Sequence, residues 1–400
     1  MAVWDDLVGQ ARVEEQLAAA ARDADALVTA QAAGEPAPEA SKMTHAWLFT
    51  GPPGSGRDTA ARAFAAALQC VSPDRALGGA PGCGFCDGCH TALIGTHADV
   101  EVVRTDLLSI GVKETRELVR RAQLSPAGRR WQVIVLEDAD RLTEGAANVI
   151  LKAVEEPAPR TVWLLCAPSL EDVLPTIRSR CRHLTLTTPS VRAVADLLIR
   201  RDGIEPETAL AAARATQGHI DRARRLATDE RARARRAVVL KLPMRVGDVG
   251  GGLRAAQELV DAAAEDAKQV AEEVDVKETE DLKAALGGGQ GGRMPRGTAG
   301  AMKELEDRQK RRRTRTQRDS LDLALTDLTG FYRDVLALQL RAAGELANED
   351  VRDALETIAR DTTPERTLRR IEAVLACREA LDRNVAPLLA VEAMTMALRD

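Results

Sequence analysis

An apolar run, Ala46 to Phe49, leads directly into GPPGSGRD at 51–58, and a helical pattern follows from Thr59 to Gln69. Strand, glycine-rich turn, then helix is the setting in which backbone N–H groups cradle phosphates. In a working loop a lysine reaches the β and γ phosphates, and a Ser/Thr hydroxyl holds Mg²⁺. Here Gly51, Gly54 and Gly56 keep the backbone spacing, but Arg57 stands in the lysine place and Asp58 in the hydroxyl place. A carboxylate aimed at a triphosphate repels it, and a wide planar guanidinium does not replace a compact ammonium in so tight a nest. The loop reads as a degenerate nucleotide site.

The alternation continues along the chain. Strands are expected at Ala46–Thr50, Ala98–Val103, Trp131–Leu136, Thr161–Cys166 and His183–Leu186, and helices at Lys113–Gln123 and Ala146–Glu155. Near-continuous apolar strands alternating with helices imply a parallel sheet covered on both faces. A helix is expected within 5–21, with Val13, Leu17 and Ala20 on one face, and a polar connector over 30–42. From Ser190 to about Ala237 the pattern is purely helical, broken by Gly203 and Gly218; another helix is expected over 251–280. The glycine-rich stretch 287–300 lacks the apolar surface to order itself. Helical periodicity returns after Leu321, with one stripe at Leu321, Leu325, Leu328, Phe331 and Val335 and a second at Leu368, Ile371, Leu375 and Leu381.

The boundaries that follow are an α/β domain over 1–189, a helical lid over 190–240 and an all-α domain over 241–400. The last contains a flexible, charged and glycine-rich insertion at about 265–318. Hydrophobic residues make up 45% of the chain, enough for a sizeable core, and with one Tyr and four Phe that core must be mostly Ala, Leu and Val. A net charge of -5 argues against coating nucleic acid by bulk charge. The basic run KRRRTRTQR at 310–318 suits phosphate contact or, as expected here, the solvated flank of the insertion. The acidic start MAVWDDLVGQ is unlike a secretory signal, and no run approaches the ~20 apolar residues of a membrane span, so a cytoplasmic protein is expected.

Four of the seven cysteines, Cys70, Cys83, Cys86 and Cys89, fall within twenty positions on the backbone PGCGFCDGC and the helix end before it. Their number and spacing suit a closed four-thiolate zinc site of the structural type, with His90 as a competing fourth ligand and a redox pair as the other reading. Glu137 and Asp138 follow the strand at 131–136, where an ATPase of this class places one carboxylate for Mg²⁺ and one for water. Their order is reversed from Asp-Glu, and solvated strand-end acids are the alternative. Arg180, in Ser179-Arg180-Cys181, is either a surface ion pair or an arginine presented to a neighbour's nucleotide.

In this order the elements resemble the AAA+ clamp-loader subunits of bacterial DNA polymerase III, the delta-prime type above all. The matching text is DDLVGQ at 5–10, the loop at 51–58, the cysteines at 70–89, GTHADV at 95–100, VIVLEDADRL at 133–142, ANVILKAVEEPAP at 147–159, PTIRSRC at 175–181 and RNVAPLLAVEAMTMAL at 383–398. The likeness is strong over 1–235 and looser over 320–400.

The resemblance implies a RecA-like AAA+ domain with an inserted zinc module, a helical lid and a helical collar. It implies a stator in a hetero-oligomer with the gamma/tau motor subunits and the delta subunit, which opens the sliding clamp and places it on primer-template DNA. ATP would be hydrolysed on neighbouring subunits, and Arg180 would be the arginine finger supplied in trans. The chain alone would neither hydrolyse ATP nor polymerise. Beyond Arg57-Asp58 and Glu137-Asp138, two further motor features are missing: Ala167 and Pro168 stand in the sensor region, and Asp221 in GHIDRARR at 218–225 takes the place of a lid arginine. Two other readings stay open, an active gamma/tau-type motor and a zinc-containing DNA-binding module outside replication. The chain's own ATP hydrolysis separates the first, and salt-dependent DNA binding the second.

Overall fold

The structure is a computed structural model that describes residues 2–36, 41–74, 81–105, 107–128, 130–285 and 299–399. The chain divides into two units, the first running to residue 224 apart from short stretches at 106–108 and 214–216, the second containing the remainder.

In the first unit the elements are α1 (Ala11–Ala33), β1 (Ala46–Thr50), α2 (Arg57–Leu68), α3 (Asp87–Leu93), β2 (Val100–Val103), α4 (Val112–Ala122), β3 (Gln132–Leu136), α5 (Glu144–Glu155), β4 (Thr161–Ala167), α6 (Pro175–Arg178), β5 (Arg182–Thr185), α7 (Val191–Asp202), α8 (Pro206–Ala215) and α9 (Ile220–Thr228). The five strands form one parallel sheet in the order β2-β3-β4-β1-β5. This is the RecA-like sheet that the resemblance implies, with every expected strand present to within two residues at its ends.

Period-2 alternation sends Trp47, Phe49, Val133 and Val135 to one face, where they pack with Phe64 and Leu68 of α2 and Leu17 of α1. Leu48, Ile134, Leu136 and Trp163 go to the other, against Leu118 of α4 and Ile150 and Val154 of α5. Trp47 and Phe64 meet edge to face at 5.1 Å. Helix ends follow local chemistry. Thr143 and Ser190 cap α5 and α7 by accepting from the backbone N–H groups of Ala146 and Ala193. Gly34 stops α1 in the left-handed region, so the connector expected from residue 30 begins at 34.

The second unit is all-α: α10 (Glu230–Leu240), α11 (Leu242–Arg245), α12 (Val249–Ala285), α13 (Ala299–Gln339), α14 (Arg352–Asp361), α15 (Pro364–Asp382) and α16 (Pro387–Ala397). The stripe Leu321, Leu325, Leu328, Phe331 and Val335 is fully buried in its core. The second stripe is displaced: Leu368 and Leu375 are exposed, while Thr367, Val374, Cys377 and Leu381 turn inward. Thr367 is drawn in because its hydroxyl donates to Gln339 Oε1 at 2.9 Å, a polar contact that apolar periodicity does not register.

Two boundaries differ from the expectation. The segment 190–240 is divided, with α7 in the first unit and α10 in the second, where Val239 and Leu240 of α10 join the core of α13. The insertion at 265–318, expected to be flexible, is helical at both ends: α12 runs through 265–285 and α13 begins at 299. The glycine-rich 287–298 lies outside the described residues. The basic run is a solvated flank only in part: Lys310 and Arg311 are exposed, while acids on α12 partner Arg312 and Arg313. Arg312 Nη2 donates to Asp275 Oδ1 at 2.6 Å and Glu278 Oε2 at 2.5 Å, and Arg313 Nη2 lies 2.7 Å from Asp275 Oδ2. No helix among the described residues is long and apolar enough to cross a membrane.

Candidate functional site

The phosphate-type loop leaves the carboxyl end of β1, where ligands of parallel α/β sheets bind. Because β1 pairs with β4 and β4 with β3, the same edge gathers Gly51, Gly54, Gly56, Arg57 and Asp58 with Glu137, Asp138 and Pro168. Gly56 caps α2, which begins at Arg57, so Arg57 and Asp58 lie in its first turn.

Three side chains of the degenerate site, those of Arg57, Glu137 and Asp138, have partners within the chain. Arg57 Nη1 donates to the Gly51 carbonyl at 2.7 Å, folding the guanidinium back on its own loop. Glu137 accepts from Arg62 Nε at 2.6 Å with only 7% of its side chain exposed, and this bond raises the Arg62 pKa. Asp138 Oδ2 accepts from the Thr105 backbone N–H at 2.9 Å. Gly54 has φ +82°, and a Cβ there would stand 2.3 Å from Cγ of His219, so the His219 ring rests on the loop where a phosphate would approach.

The space beside the loop measures about 70 Å³, against ~300–1,000 Å³ for a ligand pocket. Its wall mixes Asp6, Asp58 and Asp221 with Arg57, Arg201 and Arg224. Arg201 is paired with Asp6, and Arg224 lies 2.8 Å from Asp202 and 3.4 Å from Asp221. Gln10 holds the loop from behind, donating to the Ser55 carbonyl at 3.2 Å and the Thr187 carbonyl at 2.5 Å.

Sequence reasoning missed Arg62, His219 and Gln10. For His219 the glycine that makes room for the ring is Gly54 of the loop itself, while Gly218 beside it packs on the Pro189 carbonyl. Arg62 carries no local signal.

The four cysteines converge as their spacing suggests. All four sulfurs lie within 4.8 Å of one another, with Cys83 and Cys89 at 4.0 Å and Cys86 and Cys70 at 3.9 Å. A tetrahedron of ~2.3 Å zinc–sulfur bonds has edges of ~3.8 Å, so the sulfurs already stand at ligand spacing. His90 is exposed and outside the group. The Val71 and Cys86 backbone N–H groups point at Cys86 and Cys83 sulfurs, each at 3.4 Å. Gly88 lets α3 press on the end of α2, since a Cβ would come 2.0 Å from the Gln69 carbonyl oxygen. Crowding makes the thiols compete for protons: a bond from Cys89, with backbone N–H groups, pushes Cys70 down to about 4, while the same contact raises Cys89. Such a donor set could hold a metal ion in place of the thiol protons.

Arg180 sits apart from both centres, just after α6. Its Nη2 is 2.6 Å from Glu155 Oε1 at the end of α5, and its Nη1 donates to the Thr176 carbonyl at 2.8 Å.

Two sequence-family models match the chain, DNA polymerase III, delta subunit, over residues 35–190, and DNA polymerase III, delta subunit, C terminal, over 317–395. The delta-prime subunit of Pseudomonas aeruginosa is 38% identical over 176 residues, 42% of this chain and 51% of that one. That of Bacillus subtilis is 31% identical over 204 residues, 51% and 60%. The gamma/tau subunit of Mycobacterium tuberculosis is 35% identical over 163 residues, 40% and 28%. The chain thus spans between 28% and 60% of the length of these curated relatives.

Proposed function

Because the chain belongs to the DNA polymerase III delta-subunit family, we propose that it is the delta-prime subunit of a clamp loader, working in replication beside gamma/tau and delta subunits to place a sliding clamp on primed DNA. The observation that carries this reading is the occupied nucleotide site. Arg57, Glu137 and Gly54 are engaged by Gly51, Arg62 and His219, so the loop serves as a strand-to-helix turn and not as an ATPase centre.

Its catalytic contribution would then be Arg180, offered to ATP on an adjacent motor subunit. The Glu155 pair does not stand in the way: both side chains are more than a third exposed, and exposed pairs are worth at most about 1 kcal/mol. A neighbour's phosphates compete for that guanidinium on favourable terms. The four cysteines would hold one zinc with no open ligand position, so the metal would supply structure and no chemistry. DNA would be met through the complex, since Arg312 and Arg313 at the centre of the basic run are committed to Asp275 and Glu278.

The test is Arg180→Ala in the complex reconstituted with its cognate gamma/tau and delta subunits. Assembly by gel filtration should be unchanged, while turnover at the ATP site served by Arg180 should fall, an arginine finger being worth ~10³–10⁵ in rate at its site. Unchanged turnover removes the finger assignment. The likeness to gamma/tau favours one competing reading, an active motor, and hydrolysis of ATP by the purified chain alone would establish it.

A further inference from the structure

Arg130 is a buried cation that neither the nucleotide site nor the sheet requires. It is 8% exposed and lies just before β3, at the end of α2 where Cys70 begins. Its Nε donates to the Leu68 carbonyl at 2.8 Å, two residues from Cys70, and both Nη groups donate to Asp25 Oδ1 of α1 at 3.1 Å. The neighbouring Trp131 carbonyl accepts from Gln69 Nε2 at 2.5 Å, so residues 130 and 131 together strap down the residues that lead into the first cysteine.

The same end of α2 carries the cysteines, since the Ala66 carbonyl accepts from Cys89 Sγ at 3.5 Å and Cys70 follows Leu68 by two residues, so the guanidinium on the Leu68 carbonyl stands beside the cysteine group. Burial pulls the Arg130 pKa down and the neighbouring Cys70, Cys86 and Cys89 raise it. Four thiolates around a divalent ion leave two negative charges uncompensated. Residual charge at a buried site must be met by a nearby cation or by hydrogen bonds. Backbone N–H groups already reach the sulfurs, those of Val71 and Cys86 among them, and none carries a full charge.

We propose that Arg130 is the charge partner of the cysteine centre, a positioning residue that offsets the negative charge of the zinc–thiolate group and sets how tightly the metal is held. The inference rests on the zinc reading and goes beyond it, because it assigns the affinity to a residue outside the cysteine motif. Asp25 has a definite part in it. By sharing the guanidinium, Asp25 lowers the positive charge available to the sulfurs.

The experiment is competition of the purified, reduced chain against a chromophoric zinc chelator, for wild type, Arg130→Met, Arg130→Lys and Asp25→Asn. The visible thiolate-to-metal band of the Co²⁺ form is recorded in parallel. Arg130→Met should weaken zinc binding by about 10–100-fold and shift the cobalt band, the range seen when groups outside the ligand set are removed. Arg130→Lys, which keeps the charge but loses the Nε bond to the Leu68 carbonyl and the fork on Asp25, should restore most of the affinity. Asp25→Asn should bind zinc at least as tightly as wild type.

Zinc affinity in Arg130→Met within two-fold of wild type overturns the proposal. So does a lysine variant as weak as the methionine one, which would make the role one of packing. If Arg130→Met does not fold, Asp25→Asn decides, since weaker binding there contradicts the charge argument. A wild-type chain that takes up no zinc or cobalt would instead overturn the zinc reading itself.

Discussion

A methyl group added at residue 54 would meet the His219 ring at 2.3 Å, and the backbone there, at φ +82°, is already one that L side chains resist. Gly54→Ala should therefore destabilise the first unit by about 2 kcal/mol or more. All four tryptophans, Trp4, Trp47, Trp131 and Trp163, lie in that unit, so intrinsic fluorescence in urea isolates its unfolding. His219 adds a pH dependence. Burial, helped by the positive charge of Arg222, pushes its ring from 6.5 down to about 4. Between those values the unfolded chain binds a proton that the folded chain does not. The contribution of His219 is thus complete above about pH 6.5 and fades as the pH falls towards 4, by about 3 kcal/mol over the window. His219→Gln should lose this part of the slope in the same fluorescence measurement between pH 7 and 4.5. An identical slope in the variant would mean that the ring does not rest buried on the loop.

At the scale of elements, the two long helices of the second unit are joined by polar as well as apolar contacts. Asp275 and Arg312 are both nearly buried, and Gln309 Nε2 donates to the Asp275 carbonyl at 3.0 Å, so the acidic end of α12 and the basic start of α13 fix each other's register. Removing one partner of a buried pair leaves a charge uncompensated, at a cost of about 3–5 kcal/mol. Arg312→Ala should accordingly lose amide protection across 265–285 and 299–318, while 321–335, held by the buried stripe, keeps it. Equal protection in variant and wild type would show that apolar packing alone joins the helices.

The cysteine module calls for a different measurement. Metal analysis of the reduced chain should find about one zinc per molecule, four thiolates forming a closed tetrahedral shell. Stripping it should expose the amides of 81–94 and leave β1 and β3 protected, because the strands are held by the sheet core. What was legible in the sequence at this scale was whatever a short stretch encodes: the strand, loop and helix at 46–68, the cysteine spacing, and the stripe from Leu321. The pairing of 275 with 312 was not legible, since a basic run looks the same whether water or another helix faces it.

For the whole molecule the question is whether repairing the loop would restore a motor. Within the loop Arg57 and Asp58 are the two departures, and a reading confined to that loop predicts that Arg57→Lys with Asp58→Thr regains hydrolysis. The structure argues otherwise, because the obstacles are distributed over the fold. Glu137 stays tied to Arg62 at 2.6 Å, the reversed order still sets the shorter Asp138 second, and His219 still rests on Gly54. A misplacement of ~1 Å at a water-activating carboxylate alone lowers a rate by ~100-fold. The double variant should therefore fold and remain without measurable ATPase. Adding Arg62→Ala and His219→Ala should be needed before the loop even retains ATP in equilibrium dialysis. Hydrolysis by the double variant would show that the chain is a motor disabled at two residues. Its absence would place the loss in contacts 75 residues apart for Arg62 and Glu137, which a motif cannot display.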